Sequence, residues 1–597
     1  MAYSEPTRLF DLVDYQLARF PLPDMLAAVE EGSWRRYATQ EVKDTAQQLA
    51  AAFHHCGIGW QDGTSEGRNK VAVISGNRPE WIILDLAVQQ AGAVLVPIYP
   101  TVHAAELQYI LDHAGVSILF VENNVLAQKA AALMPMLPGL KSIYTFEKTG
   151  SFRHWQYLLE KHTPADIAAV QDISRSIQPT DLATIIYTSG TTGTPKGVML
   201  SHRNILSDVI SCHPLVADVG IEGDKVLSFL PLNHAFERCA NYLYFYSGAS
   251  VYYAQSTATI AEDLRYVQPV LFTTVPRLLE KVYETILSKG AQLTGIKKNL
   301  FDWSVRLAEQ YEINTSLPLT YRAQLALADK LIFNKWRAAM GGRVKAVITG
   351  AAACQVKLLR SFSAAGIVIM EGYGLTEAAP VVSGNRYPAK GRKFGTVGPP
   401  LENIEVDFAA DGELLIKGAN VMMGYYKKPD QTAEVLRDGW LYTGDIAVLE
   451  EGKFLKITDR KKELFKTSGG KYVAPQPIEN SMVQSRWIEQ MMVTGAGEKF
   501  VSALIVPAFN AIKEWYAAKG QSYPGNDVAV KDEAIHKIIQ KEVQQFNQHF
   551  NPVEQVKKFL LLPSEWTIET GELTHTLKLK RRQILEKYGH LVAQLYA

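Results

Sequence analysis

The chain has 597 residues, too many for one ordinary hydrophobic core, so at least two domains are expected. Apolar residues make up 47% and charged residues 21%, the balance of a globular protein, and a formal net charge of +1 gives no reason to expect a nucleic-acid partner. The four cysteines (Cys56, Cys212, Cys239, Cys354) form no CxxC pair, which argues against a zinc site or a disulfide framework and fits a reducing compartment.

Taken in order, the N-terminus leads into no signal-peptide apolar region, and no apolar run reaches the roughly 18 residues of a membrane span. From Lys70 onward, strand-like and helix-like segments alternate. Val71–Ser75 and Ala93–Val96 flank a helical pattern built on Trp81, Leu84, Leu86 and Ala87. Further short apolar strands are read at Ile118–Val121, Leu182–Tyr187, Val251–Tyr253, Val270–Thr273, Val344–Thr349 and Ile367–Met370. This alternation predicts α/β layers with a mostly parallel sheet. Residues 285–343 are helix-rich and read as an insertion packed on the large domain. After about residue 400 the pattern becomes paired strands: Ile404–Phe408 with Glu413–Lys417, Ile446–Leu449 with Phe454–Ile457, and Met491–Thr494 with Val501–Val506. The expected fold class is α/β: a large N-terminal domain of layered, mostly parallel sheets and helices, then a smaller, mobile α+β C-terminal domain. The expected boundaries are 1–458, a hinge at 459–462, and 463–597.

The most informative stretch follows the strand Leu182–Tyr187. Thr188, Ser189, Gly190, Thr191, Thr192, Gly193 and Lys196 combine four hydroxyls, two glycines and a cation. Small residues let a backbone approach phosphate oxygens, N–H and O–H groups donate to them, and lysine adds charge. The spacing is not G-x-x-x-x-G-K-[ST], and Gly197 follows the lysine, so an ordinary P-loop ATPase is disfavoured.

This run resembles the phosphate loop of the adenylate-forming enzymes, and further motifs of that family recur in order to the C-terminus. Pro231-Leu232-Asn233-His234-Ala235-Phe236-Glu237 resembles its PLxHxxE segment, which implies His234 at a carboxylate pocket. Gly350 and Ala351 follow a strand where the family's backbone approaches adenine, although an ordinary strand-to-helix turn reads almost as well. Tyr373-Gly374-Leu375-Thr376-Glu377 resembles YGxTE. The implied roles are adenine stacking on Tyr373, close backbone approach at Gly374, phosphate contact by Thr376 and Mg2+ binding by Glu377. Gly439–Asp445 resembles GWxxTGD, which assigns Asp445 to the ribose hydroxyls.

Asp459–Lys471 resembles the junction block GRxKDxIKxxG, with Arg460 toward the ribose, Lys462 at the hinge, and Ser468, Gly469 and Gly470 beside a thiol tunnel. Thr574–Arg582 resembles the catalytic-lysine motif. Aligning the Arg pair selects Lys578, and Lys580 is the competitor if the register moves by two.

The resemblance implies an enzyme that activates a carboxylate with ATP and Mg2+ to an acyl-adenylate, releases pyrophosphate, and then transfers the acyl group to a thiol. Asp459-Arg460-Lys461-Lys462, Val275-Pro276-Arg277-Leu278, Asn420–Tyr426 and Thr576-Leu577-Lys578 are most similar to long-chain fatty acyl-CoA synthetases. The expected substrates are a fatty acid, ATP and coenzyme A. Medium-chain or aromatic acids, a carrier-protein acceptor and an inactive lipid-binding homologue stay open as alternatives. The expected location is the cytoplasm, with peripheral contact on the inner face of a membrane also open.

Overall fold

The computed structural model describes residues 5–59, 67–188, 194–256, 258–574 and 578–596. Contacts divide the chain into two compact units that are interleaved in sequence. The first comprises Met1–Val406, Ile416–Leu441 and Glu451–Leu455, and the second comprises Asp407–Leu415, Tyr442–Glu450 and Lys456–Ala597.

The first unit holds two eight-stranded sheets. In spatial order one runs Gly424–Tyr425, Lys196–Ser201, Leu182–Thr188, Val94–Ile98, Lys70–Ile74, Val116–Val121, Ser142–Thr145, Arg153–His154. Its last six strands are parallel, and the first two join antiparallel. The other runs Val381–Gly384, Val368–Gly374, Ala346–Thr349, Leu271–Thr274, Lys225–Ser228, Ser250–Tyr253, Leu26–Glu30, Ser33–Tyr37, with an antiparallel strand at each edge. The inner strands are short apolar runs, such as Lys-Val-Ala-Val-Ile at 70–74, buried along their whole length, as strands covered on both faces require. The strands Leu26–Glu30 and Ser33–Tyr37 are additions to the sequence reading. Helices Pro276–Ala291, Gly295–Glu309, Leu319–Ala328 and Asn334–Ala339 occupy the insertion and share one core with Phe272, Val347 and Phe362.

The second unit centres on strands Ile488–Thr494, Val501–Pro507 and Val556–Leu561, the first pair antiparallel and the second parallel. Helices Pro475–Met482, Phe509–Ala518, Glu533–Asn547 and Arg581–Tyr596 accompany this sheet, and Ile505, Ile539, Trp566 and Ile584 lie in its core. The fold is α/β with a smaller α+β unit, as the sequence leads one to expect.

One polar knot lies inside the first unit. Arg238, on helix Ala235–Tyr246, is 1% exposed at its side chain, and Asp85, on helix Pro79–Gln90, is 0% exposed. Arg238 Nε and Nη2 donate to the two Asp85 oxygens at 2.9 and 2.5 Å, and Nη1 donates to Thr184 Oγ1 at 2.8 Å. Gln89 and Tyr242 also donate to Asp85, at 2.8 and 2.5 Å. Removing one member of such a pair leaves an uncompensated buried charge, a loss of about 3–5 kcal/mol. Asp85→Ala is therefore expected to lower the thermal midpoint by several degrees and to cost more than replacing both partners with apolar residues of similar volume. Equal midpoints for wild type and Asp85→Ala, followed by circular dichroism, would contradict this.

Candidate functional site

The strand Leu182–Thr188 turns back into Lys196–Ser201 as an antiparallel hairpin, with Thr188 opposite Lys196. The phosphate-loop residues Ser189, Gly190, Thr191, Thr192 and Gly193 lie outside the described residues, so the structure speaks for Thr188 and Lys196 alone. Gly197 is required by packing: a Cβ there would lie 2.7 Å from Ile185 Cγ2 and 3.1 Å from the Tyr187 ring.

The segment 419–426 draws the hairpin and the Thr376–Glu377 turn together. Gly424–Tyr425 pairs with Val198 and Met199, and Tyr426 N donates to Gly197 O at 2.8 Å. On the other side, Met422 N donates to Glu377 O at 2.9 Å, and Asn420 Nδ2 donates to Ala378 O at 2.9 Å. Asn204 ties the same segment to the helix after the hairpin by donating to Ala419 O and Val421 O, both at 2.8 Å. Tyr425 completes the join. Its hydroxyl donates to Glu377 Oε1 at 2.8 Å, and the Lys196 ammonium lies 4.7 Å from its ring centroid. Tyr425 thus touches two residues that the motifs single out, and no role for it could be read from its own position in the sequence.

Tyr373 and Gly374 sit at the end of strand Val368–Gly374, paired with Ser383 and Val381. Gly374 is obligatory, because a Cβ would lie 1.8 Å from Pro380 O. Gly350 follows the neighbouring strand. A Cβ there would be 3.4 Å from Gly372 O and 3.9 Å from the Phe236 ring, so the 350 turn, the strand end and the His234 segment converge. Ala351 adopts a left-handed backbone with φ +69°. Thr376 is buried, and Glu377 is part-exposed.

His234 caps the helix Ala235–Tyr246, its Nδ1 accepting from Phe236 N at 3.2 Å. A neutral imidazole in this bond carries its proton on Nε2. The loop before it is pinned from the first sheet. Asn77 donates to Leu230 O at 2.7 Å and accepts from Leu232 N at 2.9 Å, and Trp81 Nε1 donates to Asn233 Oδ1 at 3.1 Å.

Buried acids underlie this region, and the sequence reading gave them no part. Glu371 Oε1 accepts from Cys354 N at 2.7 Å and so holds the 350–354 turn; burial pushes its carboxyl up to about 8. Glu237 accepts from Ser228 and Thr273 and is pushed by burial up to about 7. Asp208 accepts from Val381 N at 3.1 Å and is also raised by burial to about 8.

In the second unit, Asp445 and Arg460 are brought together, Nε to Oδ1 at 3.1 Å. Asp445 N donates to Thr443 Oγ1 at 3.1 Å, and Lys461 bridges Asp411 and Glu413, each at 2.7 Å. Burial raises the Asp459 carboxyl to about 6. Lys462 is exposed, and Ser468, Gly469 and Gly470 form an exposed turn between the short paired strands Phe465–Lys466 and Tyr472–Val473. His575, Thr576 and Leu577 lie outside the described residues. Thr574 N donates to Lys578 O at 2.8 Å, Lys578 N donates to Thr574 Oγ1 at 3.0 Å, and Lys580 N donates to Glu572 O at 2.7 Å. Of the Arg pair, Arg581 is an anchor, bonded to Glu463 at 3.0 Å and Glu479 at 2.6 Å, whereas Arg582 is exposed and meets Glu586 at 2.8 Å.

The buried acids carry a pH signature. Below about pH 4.5 Glu371 is protonated whether the chain is folded or unfolded. Between 4.5 and about 8 the folded protein retains a proton that the unfolded chain gives up, so stability falls as pH rises through this window. Glu371→Gln, which stays neutral throughout, should give a shallower fall of thermal midpoint with pH than wild type. Parallel curves in differential scanning fluorimetry would contradict the assignment.

Residues 14–426 match the family described as AMP-binding enzyme, and residues 463–597 match the AMP-binding enzyme C-terminal domain. The chain is 33% identical to the long-chain-fatty-acid–CoA ligase FadD15 of Mycobacterium bovis over 95% of its own length and 93% of that protein. It is 33% identical to long-chain-fatty-acid–CoA ligase 1 of Homo sapiens over 88% of this chain and 78% of the relative. The solved structure of the anthranilate CoA ligase AuaEII with anthranoyl-AMP superimposes with a TM-score of 0.71 at 17% identity, covering 99% of each chain. O-succinylbenzoate coenzyme A synthetase from Bacillus subtilis, solved with ATP and magnesium, gives a TM-score of 0.66 at 18% identity over 96% of this chain and 98% of that one. At those identities the two structures speak for the fold. The matched residues, the ordered motifs and the relatives spanning nearly the whole chain place this protein in the AMP-binding enzyme family.

Proposed function

We propose that this AMP-forming acid–thiol ligase activates a long-chain fatty acid with ATP and passes the acyl group to coenzyme A. The observation that carries the reading is the Lys196–Tyr425–Glu377 join, which sets a cation and a carboxylate of the implied triphosphate site against one tyrosine. The relatives' names, at 33% identity over most of both chains, support the fatty-acid choice.

In this reading Thr188, Lys196 and Thr376 orient the phosphates, and Tyr373 with the Gly350–Ala351 turn receives adenine. Asp445 and Arg460 take the ribose, and His234 faces the acid. Mg2+ suits Glu377, whose one oxygen is held by Tyr425 and whose part-exposed carboxylate offers the second to a hard cation. When bound, the ion offsets triphosphate charge and eases the departure of pyrophosphate. The carboxylate oxygen of the acid attacks the α-phosphorus as the bond to pyrophosphate breaks, and the thiolate of coenzyme A then displaces AMP at the acyl carbon. The protein's contribution is positioning and charge stabilisation. Lys578 serves the first half-reaction, with movement about 459–462 separating it from the second.

The test is acid-dependent formation of AMP and pyrophosphate across saturated acids. An apolar tunnel gains about 0.8 kcal/mol per buried CH2, so kcat/KM should climb roughly fourfold per carbon until the tunnel ends. Equal use of acetate or benzoate would overturn the long-chain choice, and ADP as product would overturn the chemistry.

Two variants test the assigned roles. Tyr425→Phe removes the hydroxyl on Glu377 and should slow adenylation about tenfold while raising the Mg2+ concentration required. A wild-type rate and Mg2+ response would exclude that role. Lys578→Ala should cut adenylation by about 10²–10³-fold and spare thioester formation from supplied acyl-adenylate, with Lys580→Ala mild in both assays. Loss confined to Lys580→Ala would move the catalytic position by two.

A further inference from the structure

We infer that the outer face of the insertion at 285–343 is a docking surface for an anionic lipid membrane. This segment holds nine Lys and Arg against four Asp and Glu, a net of +5 in a chain whose total is +1, so the remainder of the chain is net acidic. The segment is thus a net basic stretch in a nearly neutral chain.

The same segment carries four of the large apolar side chains that are exposed among the described residues. Ile296 and Leu319, 85% and 79% exposed, are the most exposed large apolar residues among the described ones. Leu327 and Leu331 are also exposed, at 50% and 36%. Leu319, Ala323, Leu327 and Leu331 recur every four residues along helix Leu319–Ala328 and the π-helical turn Asp329–Phe333, forming a stripe on the outer side. The opposite side is anchored, because Ala328, Ile332, Phe333 and Trp336 are buried in the first unit's core. These leucines are thus held outward by a packed helix.

Arg322, Lys330 and Lys335 are exposed along the same stretch. Asp329, the sole acid between 313 and 343, is paired with Arg337 at 2.5 Å. An apolar stripe bordered by bases is the pattern of an interfacial helix: leucines enter the acyl boundary while lysine and arginine stems lie beside them and reach lipid phosphates. A second copy of the chain would bring basic charge against basic charge, and protein interfaces are depleted in lysine. The inference stands on surface composition and does not rest on the acid assignment.

The experiment is flotation of the full chain with phosphatidylcholine vesicles, with and without phosphatidylglycerol. Wild type should float with the anionic vesicles and stay behind with the zwitterionic ones. Leu319→Ser/Leu327→Ser and Arg322→Glu/Lys330→Glu should each lower the bound fraction about tenfold or more. Val528→Ser, at an exposed apolar position of the second unit, should not change it. Thermal midpoint and pyrophosphate exchange on a water-soluble medium-chain acid should stay at wild-type levels in every variant, which separates this test from that of the catalytic reading. Failure of wild type to float, or equal flotation of all variants, overturns the inference. So does a change of oligomeric state in the serine variant without loss of lipid binding, which would assign the face to a second copy.

Discussion

The Arg238–Asp85 pair is the constraint on which the arrangement of the first unit depends. It joins three elements that lead to proposed site residues from distant parts of the chain. Helix Ala235–Tyr246 begins at His234, strand Leu182–Thr188 leads to the phosphate-loop hairpin, and helix Pro79–Gln90 follows the segment that pins the His234 loop. A cation and an anion this deeply buried are tolerated because every approach is hydrogen-bonded, through Thr184, Gln89 and Tyr242. Hydrophobic packing alone would allow these elements to slide, whereas a bidentate guanidinium–carboxylate bond fixes their spacing.

A second join lies among the residues proposed to meet the phosphates and Mg2+. Segment 419–426 is a strand partner to the hairpin on one side and a source of backbone and side-chain bonds to the Thr376–Glu377 turn on the other. Tyr425 converts that backbone continuity into a side-chain geometry by meeting both Lys196 and Glu377. The small residues around it follow the same logic: Gly197 and Gly374 stand where a neighbouring side chain or backbone oxygen leaves no room for a Cβ.

Much of this was legible in the sequence. Parallel strands buried on both faces are near-continuous apolar runs, and they were read close to their observed limits at Ile118–Val121, Val251–Tyr253 and Val270–Thr273. The edge strands were not, because Ser33–Tyr37, with Trp34-Arg35-Arg36 at its centre, has the polar composition of a loop and is fixed by pairing with Leu26–Glu30. The phosphate-binding pattern ends at Lys196 and announces no strand after it; the strand character of Lys196–Ser201 comes from pairing on both sides. Ordered motifs made the site residues nameable, but the partnerships between them come from folding. Tyr425 lies 48 residues from Glu377, and Glu371, Glu237 and Asp208 owe their raised pKa values to burial that no local pattern announces.

The central claim is chemical: the acid's own oxygen attacks the α-phosphorus of ATP. An acid labelled with 18O in its carboxylate tests this directly. One labelled oxygen should appear in the phosphate of AMP after transfer to coenzyme A, read by mass spectrometry. Label in inorganic phosphate, or AMP free of label, would contradict the account.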